Sequence, residues 1–209
     1  MAQSRARLRW TAFILGLTLL VSYAWFYQAG GWNQNTRFAL VRAILEQRTI
    51  LIDTYSETTG DRSLWEGHYY SDKAPGASFI ALAPVAAAQS VLTSRGIALG
   101  SRQGVAVASY VATLATSSLF TVIAALGIYW LSIRWRASRE AALFAAATYG
   151  LATPAWAYAT VFVGHSVTSG LLMAAFWAAV ALPDNPKRIA PLSWAVGLLC
   201  GFAVVTEFP

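Results

Sequence analysis

The sequence predicts an all-α, polytopic transmembrane helical bundle with a long first extracytoplasmic loop. Three observations carry this. Apolar runs recur from residue 10 to the end of the chain. Hydrophobic residues make up 57% and charged residues 11%, with a mean hydropathy of +0.51, whereas a soluble domain carries about 25% charged residues. Charge is also unevenly placed, with six of the nine acidic residues inside 28–73. Most basic residues sit in short segments beside apolar runs, as cytoplasmic loops require. The formal charge of +6 therefore implies no nucleic-acid partner. The single Cys200 excludes an intrachain disulfide.

The first span is 10–27, WTAFILGLTLLVSYAWFY, directly after the basic start. No small-residue cleavage site follows it, so it reads as an uncleaved span. An outer loop with juxtamembrane helices occupies 28–103. Within it, TRFALVRAILEQ puts Phe38, Val41 and Leu45 at helical spacing. Arg37, Arg42, Glu46 and Arg48 supply polar sides, the pattern of a short interfacial helix. TILIDTY then starts extended, Thr59-Gly60-Asp61 signals a turn, and Pro75-Gly76 a stop. Segment 76–92 is apolar but short, interrupted by Pro84, where a full span needs about 20 residues. Further spans are 104–133, then 141–160 and 166–182 with a tight turn near Pro154–His165, and 192–209.

Charge decides the ambiguous segment. With Arg5, Arg7 and Arg9 in the cytoplasm, full crossing by 76–92 would put Arg134–Arg139 and Lys187-Arg188 outside. If it lies at the outer interface or re-enters, both clusters fall inside and only Arg95 and Arg102 are misplaced. The second topology is preferred. It places His165 outside, on the side of the acidic section.

The sequence has no phosphate-binding glycine loop, HExxH, paired cysteines or nucleophile elbow. The chemistry-bearing segment is GHYYSDKAPG, 67–76, where Asp72 and Lys73 stand beside Tyr70 as the chain returns to the membrane. Lys73 can hold a phosphate as a point charge; a solvated ion pair with interfacial tyrosines gives the same text. Asp53 stands at an apolar–polar edge, where desolvation would raise its proton affinity toward that of a general base; a turn cap is the alternative. Asp61 reads as a turn residue. His165 and Glu207 lie in apolar stretches and are expected to face an interior, Glu207 as an arginine's partner or as part of a polar cavity. Trp32, Trp65 and Trp156 read mainly as interface anchors.

The stretches NQNTRFALVRAILEQRTILIDTY, GHYYSDKAPGASFIALAP, ATPAWAYATVFVGHS and GLLCGFAVVTEFP resemble the bacterial membrane glycosyltransferases of the GT-C fold, the mannosyltransferase- and aminoarabinose-transferase-like enzymes that use polyprenyl-phosphate sugars. The resemblance covers nearly all 209 residues and implies an N-terminal portion of a longer transferase, seated in a bacterial inner membrane with its N-terminus cytoplasmic. It implies a polyprenyl-phosphate-linked sugar and membrane lipid as partners, and inverting transfer at the outer face. An acidic loop residue would deprotonate the acceptor hydroxyl, or orient it with a divalent metal, the one cofactor implied. The family's early acidic position is occupied here by Asn33 and Asn35. That shifts the catalytic expectation to Asp53, then Asp72, with Lys73, Arg37, Tyr70, His165 and Glu207 as substrate-binding candidates. A transporter or flippase for a lipid-linked or anionic substrate, or a noncatalytic fragment, are the competing readings.

Overall fold

The computed structural model describes residues 2–184 and 186–208, and side chains from Ala6 onward. Pro209, at the end of the expected last span, and the Arg5 side chain lie outside the described residues. Helix α1 (Ala2–Trp25) leads to α2 (Trp32–Arg42), extended by a π turn (Ala43–Gln47). A 3-10 turn (Asp53–Thr58) and an antiparallel hairpin of β1 (Arg62–Trp65) and β2 (His68–Ser71) follow. Then come α3 (Gly76–Ser94) and α4 (Arg102–Thr113), which runs through a π turn (Leu114–Ser118) into α5 (Leu119–Arg134). Helices α6 (Arg139–Ala152), α7 (Pro154–Ala159), α8 (Gly164–Val180) and α9 (Ile189–Thr206) complete the described chain.

Four helical segments among the described residues are long and apolar enough to cross a membrane: Ala6–Trp25, Gly76–Ser94, Arg102–Arg134 and Pro186–Thr206. The protein is a polytopic helical membrane protein. At 1.5 Å per residue the 33 residues of Arg102–Arg134 span about 50 Å, well beyond a 30 Å hydrocarbon core. Phe13, Ile14, Leu17 and Val21 on α1 and Leu198 and Val204 on α9 are exposed, which only a lipid surround makes inexpensive. Trp10 and Trp135 stand exposed at one end of the bundle, Trp25, Trp32 and Trp65 at the other, the two aromatic levels of a membrane slab.

Contacts fix the helix directions. The Tyr129 hydroxyl donates to the Leu8 carbonyl, and Arg134 reaches the Val180 carbonyl and Asp184. At the other end the Gln28 amide donates to the Thr160 carbonyl, and the Tyr27 and Ser109 hydroxyls share a hydrogen bond. This second end carries the hairpin and is called the loop end. Both flanks of α3 touch the loop section. Its first residue, Gly76, stands two positions after Ala74, whose carbonyl is held by Arg37; beyond its last turn, Gly100 lies against Arg42.

Helices approach closely at small residues, the packing that works where lipid offers no hydrophobic drive. Gly150 sits against Leu19 and Tyr23, and Gly170 against Phe120. The expected span 141–160 is not one helix. Pro154 lacks an N–H for the preceding turn, and Thr153, in the β conformation, accepts from the Ala155 amide to start α7. The irregular 160–163 stretch then needs partners for its backbone. Ser117 Oγ donates to the Val163 carbonyl and accepts from the Val163 amide, and Ser118 Oγ donates to the Ala159 carbonyl. The hairpin was not foreseen. Its two-residue turn puts Glu66 and Gly67 both at positive φ, 50° and 83°, matching the twist of paired strands.

Candidate functional site

Helix α2 is the spine of the loop end. Phe38 and Val41 are buried as its apolar face requires, but Arg37, expected on a polar side, is 1% exposed. It is buried because every edge of its guanidinium has found an acceptor. Nε donates to Asn33 Oδ1 at 3.1 Å, Nη1 to the Ala74 carbonyl at 2.8 Å, and Nη2 to Glu207 Oε2 at 2.9 Å. Burial lowers the proton affinity of Arg37, and Glu207 and then Asp72 oppose that pull. Ser78 Oγ donates to the Arg37 carbonyl. Glu207 thus has the arginine partner that its apolar setting demands. His165 Nδ1 lies 3.6 Å from the same carboxylate oxygen and its ring stands edge-on to Tyr158.

The segment after β2 is pinned to the same helix. Thr36 Oγ1 donates to Ser71 Oγ, and Arg37 holds Ala74. Between those anchors Lys73 Nζ lies 3.1 Å from Asp61 Oδ2 and 3.2 Å from Asp72 Oδ2. Partial burial pulls the Lys73 pKa down, but hydrogen bonds to Asp61 and Asp72 outweigh it and hold the ammonium above its ordinary range. Lys73 is the one charged residue lining a cleft of about 210 Å³ whose apolar walls include Leu40, Ile50, Pro75 and Phe79, with Tyr70 at its side. An ammonium beside two carboxylates and an apolar slot can hold an anion on a greasy tail and accept a proton nearby.

The structure matches no family model, curated protein or solved structure.

Asp53 stands apart from this cluster, and the expected desolvation is absent. Its carboxylate is 40% exposed. It accepts from the Tyr69 amide at 2.6 Å and pairs with His68 Nδ1 at 2.7 Å. The Tyr69 amide, and after it His68, hold the Asp53 pKa below its ordinary 3.8, the wrong direction for a general base at neutral pH. Asp53 clamps the 3-10 turn to the hairpin. Because the folded-state pKa is depressed, this clamp is in place above pH 3.8 and is lost as pH falls through the lower folded value. Amides of 62–71 should therefore lose exchange protection on acidification in the wild type. Asp53→Asn, compared at matched pH, should lack that acid-side step; identical profiles would refute the clamp.

Asp61 is the residue that sequence reasoning missed: the turn-like Thr59-Gly60-Asp61 gives no sign that its carboxylate reaches Lys73. Asn33 was excluded as a base and serves as an acceptor for Arg37. A divalent metal does not fit the donors present. No three His, Cys, Asp or Glu among the described residues are grouped to hold an ion, and the Asp61–Asp72 pair is bridged by an ammonium.

Proposed function

We propose that the protein transfers a sugar from a polyprenyl-phosphate donor to an acceptor hydroxyl at the outer face of a bacterial inner membrane, with its N-terminus cytoplasmic. The observation that carries this reading is Lys73, braced by Asp61 and Asp72, at the edge of an apolar cleft. The orientation is supported by the helix directions: Arg134 lies at the end of the bundle where α1 begins, and His165 and the acidic loop at the other. In this topology α3 returns to the outer interface, since both its flanks touch the loop section.

The chemistry follows from charge. The donor phosphate takes the Lys73 ammonium in exchange for a carboxylate, and the prenyl chain follows the apolar wall. The released carboxylate, Asp72 or its neighbour Asp61, accepts the proton of the acceptor hydroxyl. The acceptor oxygen bonds to the anomeric carbon as the bond from that carbon to the phosphate oxygen breaks, with inversion. Polyprenyl phosphate leaves with the electron pair, its charge held by Lys73. Arg37, Glu207 and His165 form the platform behind the site. Glu207, neutralised by Arg37, is poorly suited to the cavity role a transporter would give it.

The test is transfer of labelled sugar from a panel of polyprenyl-phosphate donors in membranes carrying the protein. Lys73→Ala should lose about 10- to 100-fold in kcat/KM, the worth of one or two hydrogen bonds to a charged group at about 1.5–3 kcal/mol. Asp72→Asn and Asp61→Asn should lower kcat, and Asp53→Asn should retain transfer. Transfer indifferent to Lys73→Ala, or movement of donor across the bilayer without transfer, would overturn the reading.

A further inference from the structure

A second cleft, of about 230 Å³, lies across α2 from Lys73. Gln34, Asn35 and Phe38, one helical face, line it, whereas Leu40 faces the Lys73 cleft. Val105 on α4 and Phe162 before α8 supply apolar walls, and Arg102 lies in its lining. No carboxylate is among the lining residues, and the exposed Arg102 side chain has no hydrogen-bond or ion-pair partner among the described residues. The contrast with Lys73 is one of charge. Lys73 is satisfied by two carboxylates; the positive charge of the exposed Arg102 is paired by no protein group lining its cleft.

We infer that this cleft binds the phosphate headgroup of an anionic membrane phospholipid. The cleft adjoins Tyr27 and Gly30, where α1 ends, at the level of the exposed Trp25 and Trp32, so a headgroup meets it at its natural depth. A guanidinium grips phosphate oxygens through paired N–H donors. The Gln34 amide and the Asn35 Oδ1, whose own Nδ2 is held by the Thr58 carbonyl, offer hydrogen bonds to the glycerol or headgroup hydroxyls, and Phe38, Val105 and Phe162 cover the first methylenes. The volume suits a headgroup and the start of its chains, with the remainder in the bilayer. This inference rests on the membrane orientation above and is independent of sugar transfer.

Native mass spectrometry of the detergent-purified protein, titrated with phosphatidylglycerol or phosphatidylcholine, tests it. The wild type should retain phosphatidylglycerol preferentially. Arg102→Gln should weaken that binding about 10-fold, and Arg102→Lys should weaken it less. Ala106→Trp, which fills the cleft, should weaken both lipids. If that variant fails to fold, the Arg102 pair decides alone. Phosphatidylglycerol bound equally by wild type and Arg102→Gln, or no preference over phosphatidylcholine, would overturn the inference. So would full displacement by millimolar inorganic phosphate, which would assign the cleft to a soluble anion.

Discussion

Replacing Arg37 with methionine is expected to destabilise the protein by about 3–5 kcal/mol, the cost of leaving one partner of a buried ion pair without the other. The guanidinium is 1% exposed and the Glu207 carboxylate 26%, so the stranded charge would be only partly rehydrated. The Ala74 carbonyl and Asn33 amide oxygen would also lose their donor. Thermal unfolding in detergent should report a melting temperature lower by roughly 10 °C at this chain length. Neutralising the orphan should help: Arg37→Met with Glu207→Gln is expected to recover more than half of the loss. A single variant as stable as wild type would refute the pairing. A double variant no better than the single would show that the cost comes from the lost Ala74 and Asn33 contacts instead. Because Ala74 adjoins Lys73, the same single variant should loosen the Lys73 cleft.

How far the sequence reaches is clear from these residues. Helix α1 and the Arg102–Arg134 rod were legible because a long apolar run admits one structure in a bilayer. The apolar face of α2 was legible from its period. Its charged residue was not: Arg37 and Glu207 are 170 positions apart, and no local pattern says that an arginine on an amphipathic helix will turn inward. The desolvation expected of Asp53 is absent for a subtler reason. Its neighbour Ile52 is fully buried, so the apolar edge was read correctly, but the next side chain points out and takes the Tyr69 amide. Asp72 is the sequence neighbour of Lys73 and was legible as its partner, but Asp61 reaches Lys73 only through the hairpin, whose Glu66-Gly67 turn is a weak signal in sequence. The turn expected near Pro154–His165 was legible in Pro154, which starts α7, but the span bounds 141–160 ran across the break.

Gly164→Ala should be the second large effect, and it acts on the same pair from the other side. A Cβ at this position would meet the Glu207 carboxylate, the Thr206 carbonyl oxygen at 2.6 Å and Arg37 Nη2 at 3.2 Å. Gly76 is confined by the same segment, with a Cβ placed 2.7 Å from the Thr206 Cα. The end of α9 is therefore seated in a slot between two glycines, and Arg37 closes it. Backbone carbonyl and a held carboxylate cannot swing aside as a flexible side-chain tip can. Overpacking of this kind costs about 1–3 kcal/mol, and displacement of Glu207 adds part of the ion-pair loss. Gly197→Ala on α9, where a Cβ meets nothing within 4 Å, is the matched control and should be neutral or gain about 1 kcal/mol from helix propensity. Since both changes dislodge Glu207, Gly164→Ala and Arg37→Met should be non-additive, their combined cost falling short of the sum by about 1 kcal/mol or more. Strict additivity would mean that the glycine slot and the ion pair are separate devices, and that Arg37 fixes the loop without help from the helix end.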